Sequence, residues 1–235
     1  MSKNLWGCVA FSIMCIYANL AAAQTANSVY IDQVGSGSTI GVIQSGSNNT
    51  AGTNTKGMVF SGDTQVVSIQ QIGSNNIADV NVQGAGATVT SIVAGSMNSV
   101  TISCGTGGVG ASAACTDSNL IANATGDSNL LSITAGAKTD ASINITGDRN
   151  NAGIISNTTS MGGARASIAA TGNDNILTID QAGPAGVNGF TSSIDVTGSS
   201  NTVGVTQSGT IDSTVNVKSV GSNNSITVRS GNSNN

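Results

Sequence analysis

Residues 70–83, "QQIGSNNIADVNVQ", alternate apolar and polar side chains on both sides of a Gly-Ser-Asn-Asn bend. The stretch reads as strand, tight turn, strand. Its carboxamides fall on an unexpected side. Gln71 and Asn76 share the parity of Ile69, Ala78 and Val80, the side a half-buried strand turns inward. A buried amide without a partner is costly, so these must find hydrogen bonds inside the protein. Where the partners come from decides the fold.

The bend belongs to a series. The tetrad G-x-x-N begins at Gly46, Gly73, Gly95, Gly126, Gly147, Gly172, Gly198 and Gly221, at spacings of 27, 22, 31, 21, 25, 26 and 23 residues. That is the length of one coil of a solenoid. Five residues after each glycine stand Ala51, Ala78, Val100, Leu131, Ala152, Leu177, Val203 and Ile226, all apolar. Seven after come Thr53, Val80, Ile102, Ile133, Ile154, Ile179, Val205 and Val228, and four before come Val42, Ile69, Ser91, Ala122, Ile143, Ile168, Ile194 and Val217, each row with one exception. Asp32 (counted from a variant turn at Gly35), Asp79, Asp180, Asp195, Lys218 and Arg229 all take the opposite parity, which is therefore the outer one.

The repeating unit is a strand, a G-x-x-N turn, a second strand and a return loop. Alone, such a hairpin is marginal in water. Stacked with its equivalents, it buries a continuous core. The expected fold is all-β, a β-solenoid of about eight coils with two short strands per coil and variable loops on one edge, roughly 38 Å tall at about 4.8 Å per layer. In such a stack Asn49, Asn76, Asn98, Asn129, Asn150, Asn175, Asn201 and Asn224 form one column, each amide donating to one neighbour and accepting from the other. Gln33, Gln44 and Gln71 begin a second ladder that Val93, Ala124 and Ile145 later replace. A single such Asn is better read as a turn residue that accepts a positive φ; eight in phase favour the ladder.

Composition agrees with a folded, strand-rich chain. Only 8% of the 235 residues are charged and 3% aromatic, yet 38% are hydrophobic, and Val, Ile and Thr are plentiful. Lys3, the apolar run over residues 5–20 and Ala21-Ala22-Ala23 read as a secretory signal peptide covering residues 1–23, which leaves 24–235 as a single repeat domain. The run is short for an integral membrane span, and neither Cys8 nor Cys15 has the surroundings of a lipoprotein signal. Without Lys3, six basic residues stand against eleven Asp, and 6 − 11 gives −5. That charge disfavours nucleic acid or an anionic membrane as partner.

The pattern resembles curlin, the repeat subunit of curli, with its S-x5-Q-x-G-x2-N-x-A-x3-Q consensus. Gln71, Gly73, Asn76 and Ala78 carry it in one coil, and Ser38, Gln44, Gly46, Asn49 and Ala51 in the preceding one; Gln181 and Gln207 match the closing Gln. The likeness spans nearly all of the mature chain. It departs where the leading Ser becomes Gln65, Ala87, Thr139, Ala164 or Phe190, where the leading Gln is lost after the second tetrad, and in the lack of a polar segment ahead of the first repeat. The resemblance implies a curli-like functional amyloid: a structural subunit secreted through an outer-membrane export channel and polymerised with itself at the cell surface into biofilm or adhesive fibres. A second curlin-like subunit or nucleator is the further partner it implies. Open first and last coils give head-to-tail growth a physical basis.

Long or unusual returns are expected over residues 53–63, 105–117, 157–165 and 183–189. Cys104 and Cys115 bracket the second; an exported protein favours a disulfide there, and the alternative is a pair of free thiols with Cys104 in the core. No catalytic, cofactor or metal residue stands out. Neither His nor Glu occurs, and the Asp residues are isolated in turns or on the outer face, so an enzyme is disfavoured. A soluble monomeric adhesin or ice-binding solenoid is the alternative, although the outward row of Thr101, Thr178 and Thr227 is broken by Gly153 and Gly204. Calcium-binding repeats are poorly supported, since "GDSN" and "GDRN" offer one carboxylate per turn.

Overall fold

A computed structural model describes residues 26–53, 57–84, 86–104, 119–135, 139–158, 164–183 and 189–231. Short strands alternate between two sheets, and every pairing is parallel and joins one coil to the next. In sheet B the rungs are Thr39–Ser47, Val66–Ser74, Thr88–Ser96, Asn119–Thr125, Thr139–Ile143 with Ile145–Thr146, Ala164–Arg165 with Ala170–Thr171, Phe190–Thr197 and Ser213–Val220. Seven turns of chain thus separate eight rungs. Sheet A begins with Ser28–Val29 and Ile31–Val34 as one rung and Thr50–Ala51 with Met58–Ser61 as the next. It continues through Ile77–Gln83, Ser99–Cys104, Leu130–Ala135, Asn151–Thr158, Ile176–Gly183 and Thr202–Ser208 to Ser225–Gly231. The fold is a β-solenoid.

Strict alternation explains the register. Val42, Ile69, Ile143 and Ile194 from sheet B, with Ile168 between two short strands of that sheet, meet Val80, Ile102, Ile133, Ile154 and Ile179 from sheet A in one buried cluster. Each fully buried Ile or Val contributes about 1.5–3 kcal/mol. A slip of one residue would turn a whole rung inside out, so the register is strongly specified. The outward positions hold the charges: Asp32, Asp180, Lys218 and Arg229 are exposed, and Asp79 and Asp195 partly so.

Three features differ from the sequence-based expectation. Residues 58–61, expected in a return, form a strand instead. Thr50–Ala51 and Met58–Ser61 lie on the same rung, against Ile77–Ala78 and against Val82–Gln83 respectively, so this rung is built from two pieces of chain. Met58, not Thr53, fills the inward position that every other coil gives to Val or Ile, and it is fully buried. Asn81 on the next rung braces the second piece, its Oδ1 accepting the Val59 N–H at 3.2 Å. Fixed-offset counting from the glycine has no means of seeing extra sequence within a rung.

Second, the return edge is not irregular from the start. Gly35, Gly62 and Gly84, at φ of 131, 130 and 110°, open three stacked tight arcs. Hydrogen bonds tie them together, Thr64 N–H to Ser36 O and Gly86 N–H to Asp63 O. The predicted returns over 105–117, 157–165 and 183–189 lie largely outside the described residues.

Third, Gln33 is not in the ladder of Gln44 and Gln71. It sits in sheet A opposite Phe60, whereas Gln44 and Gln71 pair in sheet B. The turn at Gly35 is a return arc and not a G-x-x-N arc, which puts Gln33 in the opposite sheet.

Candidate functional site

The G-x-x-N edge is a stack of identical arcs. In every tetrad the glycine has φ between 105 and 127° and the third residue φ between 55 and 62°. None of the fourth-position asparagines has a positive φ. The left-handed conformation is thus adopted by Asn48, Asn75, Met97, Ser128, Arg149, Asp174, Ser200 and Asn223, so the ladder asparagines are not there as turn residues. The glycines are fixed by φ and by space alike: a Cβ on Gly95 would lie 2.0 Å from the Gly126 carbonyl oxygen of the next coil.

The asparagines form a column running through the molecule. Asn49, Asn76, Asn98, Asn129, Asn150, Asn175 and Asn201 are each at most 1% exposed. Asn76 Nδ2 donates to Asn49 Oδ1 at 3.0 Å, Asn98 to Asn76 at 3.1 Å, and Asn129, Asn150, Asn175 and Asn201 each to the preceding member at 3.0 Å. Each Oδ1 also accepts the backbone N–H of the next asparagine, as Asn76 Oδ1 does from Asn98 at 3.0 Å. The second Nδ2 proton goes to the next coil's glycine carbonyl, from Asn49 to Gly73 at 2.9 Å and from Asn201 to Gly221 at 2.9 Å. The shorter bonds of each buried amide go to neighbouring layers; Asn49 and Asn76 add longer contacts within their own coil, to Ser45 O at 3.3 Å and Ile72 O at 3.4 Å.

Sequence counting missed the first member. Asn27 stands outside any tetrad, yet its Oδ1 accepts the Asn49 N–H at 2.9 Å and its Nδ2 donates to Gly46 O at 3.1 Å, both of them ladder bonds. At the other end Asn224 donates its N–H to Asn201 Oδ1 at 3.0 Å but turns Nδ2 to Ser219 Oγ at 3.1 Å. Among the described residues the column therefore has nine members, with no further asparagine continuing it at either end.

The glutamines bridge the two sheets in pairs. Gln44 Nε2 donates to Gln71 Oε1 at 2.7 Å and to Ser28 O of sheet A at 3.1 Å. Near the C-terminus Gln181 Nε2 donates to Gln207 Oε1 at 3.1 Å, and Ser192 of sheet B also donates to that oxygen. On the return edge Gln65 donates to Ser61 O and Gly84 O at 3.2 and 2.6 Å, the same pair of contacts that Asn49 makes with Ser45 O and Gly73 O. The position of Gln65 within G-x-x-Q, three residues after Gly62, carried that signal.

The second tetrad position forms an outer ladder. Asp127 Oδ1 accepts the Ser96 N–H at 2.7 Å, Asp148 Oδ1 the Asp127 N–H at 2.8 Å, and Asn173 Oδ1 the Asp148 N–H at 2.8 Å. The acidic turns thus use their carboxylates to cap backbone donors. Asp63 does the same on the return edge, and the N–H and hydroxyl of Ser36 hold its carboxyl below the usual range. Arg149 grips Asp174 through two bonds of 2.7 and 2.8 Å, which lowers the Asp174 pKa and raises that of Arg149.

Cys104 is fully buried and disulfide-bonded, while Cys115 lies outside the described residues, as does the expected signal peptide. A shallow recess on the outer face of sheet B presents one carboxylate, Asp140, beside Arg165 at 3.4 Å. Among the described residues no helix is long and apolar enough to cross a membrane. No family model, curated protein or solved structure matches the chain.

Proposed function

We propose that this protein is a secreted structural subunit that polymerises head-to-tail into extracellular, curli-like amyloid fibres serving biofilm matrix and surface adhesion. The observation that carries this reading is the open amide column. Asn27 and Asn224 leave ladder valences unused, and the outermost strands of both sheets have edges that no other described strand covers. A second copy supplies the best-matched edge, and the contact does not close on itself. Exposed outward charges oppose sideways stacking of sheets while leaving the ends free. Export through an outer-membrane channel, a nucleating second subunit and a location on the cell surface belong to the same proposal and rest on the curlin resemblance. The test is incubation of the mature protein, residues 24–235, with thioflavin T followed by electron microscopy. Dye-positive unbranched fibres are expected; a persistently monomeric, dye-silent solution overturns the proposal.

A monomeric ice-binding solenoid has one observation in its favour. Thr125, Thr146, Thr171 and Thr197 form an unbroken exposed row on sheet B. The row is one residue wide, since Asn123, Asn144, Ala169 and Asp195 flank it, so we rank it below the fibre. Inhibition of ice recrystallisation by the monomer would reverse that order.

A further inference from the structure

Every ion pair among the described residues joins equivalent positions on adjacent coils. Arg149 and Asp174 are the third residues of successive tetrads, 2.7 Å apart. Asp140 and Arg165 are register partners at 3.4 Å, and so are Asp195 and Lys218 at 3.5 Å. Arg229 is the one described basic residue outside this scheme, and its place in the register is informative. The outward row to which it belongs runs Asp32, Val59, Asn81, Ser103, Thr134, Ile155, Asp180, Thr206, Arg229. Asp32 opens the row at one end of the molecule and Arg229 closes it at the other. The amide column has the same end points, displaced by five residues: Asn27 opens it and Asn224 closes it. Between them the inward rows begin with Val29 and Ile31 and finish with Ile226 and Val228, all incompletely covered within one molecule.

We propose that Ser225–Gly231 of one molecule pairs in parallel with the first sheet A rung of a second copy in a single register, with Asn224 against Asn27 and Arg229 beside Asp32. This rests on the fibre proposal and adds to it the interface and the rule that selects it. The described part of sheet A carries nine rungs against eight in sheet B, so direct strand-to-strand contact between copies falls in sheet A. In this register Asn27 offers its N–H and an Nδ2 proton to Asn224 Oδ1, the two bonds made at every internal step of the column. Ile226 meets Val29 and Val228 meets Ile31, so the apolar rows continue across the joint. A shift of one residue puts inward side chains outward. A shift of two keeps the faces but separates both the amides and the charges.

The test is a charge exchange read by elongation kinetics on sonicated seeds of the same protein, at low ionic strength. Asp32→Arg alone places Arg against Arg229, and Arg229→Asp alone places Asp against Asp32; each is expected to elongate about fivefold more slowly than wild type, the difference shrinking in 1 M salt. The doubly exchanged protein is expected to recover the wild-type rate. An equimolar mixture of the two single variants is also expected to recover it, because each then supplies the other's opposite charge at every joint. Both residues are exposed, so unchanged monomer melting confirms that the variants fold. Single variants that elongate like wild type, or a mixture as slow as its components, overturn this register while leaving the fibre proposal intact. A wild-type protein that forms no fibres overturns the fibre proposal itself.

Discussion

Replacing Asn150 by Asp changes one NH2 to oxygen in the middle of the column. Asn150 is 1% exposed; its Nδ2 donates to Asn129 Oδ1 at 3.0 Å and to Gly172 O at 2.9 Å. The carboxylate turns both contacts into oxygen facing oxygen. The bonds that Asn150 Oδ1 accepts from the N–H and Nδ2 of Asn175, both 3.0 Å, survive. Two hydrogen bonds are lost at about 1 kcal/mol each, and a charge is placed in a buried site facing two oxygens, so at pH 7 about 3–5 kcal/mol of destabilisation is expected. For a domain of this size that lowers the melting temperature by about 10 °C. Burial raises the pKa of the new carboxyl in the folded state, so the native form holds the proton more tightly than the unfolded chain. The deficit is therefore largest above the folded-state pKa and shrinks as the pH falls towards about 4, the unfolded value. Fibre elongation should slow at neutral pH in parallel. Asn151→Asp is the control, because the adjacent side chain is exposed. Thermal melts from pH 4 to 8 read the effect. If the two variants melt together at pH 7, the amide column is not buried and the reasoning fails.

Further outcomes follow from single sites. Gly95→Ala should prevent formation of intact soluble solenoid, because its Cβ would lie 2.0 Å from Gly126 O at a φ of 127°. Gly153→Thr, with nothing within 4 Å of its added Cβ, should raise stability by about 0.5–1 kcal/mol, and a matched pair of melts checks both. Ser91→Ala should stabilise by about 1 kcal/mol in denaturant titration, since Ser91 is fully buried and its Oγ has no hydrogen-bond partner. Asp63 is held ionised by Ser36, so its contribution is present above the unfolded pKa of about 4 and is lost as pH falls through the lowered folded value. Hydrogen exchange at the Ser36 amide should accelerate in that acid range, and Asp63→Asn should remove most of the acid dependence.

The architecture was legible because one structural repeat carries one sequence repeat. Period-two alternation assigned the faces, and charges of a single parity assigned inside and outside, so the buried column could be placed residue by residue from Asn49 to Asn224. What escaped lay where the phase is set by something other than a tetrad. Asn27 lacks the glycine three residues before it, since Gln24 stands there, and only its hydrogen bonds reveal its membership. Counting from Gly35 puts Gln33 in the wrong sheet, because that glycine opens a return arc. Counting from Gly46 puts Thr53 in the inward place that Met58 occupies, because the sequence between the two strand pieces is longer here and the apolar period on either side does not reveal it. Gln65 reads as a lost consensus Ser, although its longer amide makes the same two backbone contacts as Asn49. Ser91 breaks an apolar row and is buried there all the same, which register imposes and local preference opposes.

The most direct test is X-ray diffraction from aligned fibres of the mature protein. Stacked coils put every strand across the fibre axis, so a sharp reflection near 4.8 Å is expected along that axis. The same spacing found perpendicular to the axis, with strands running lengthwise, would contradict the account.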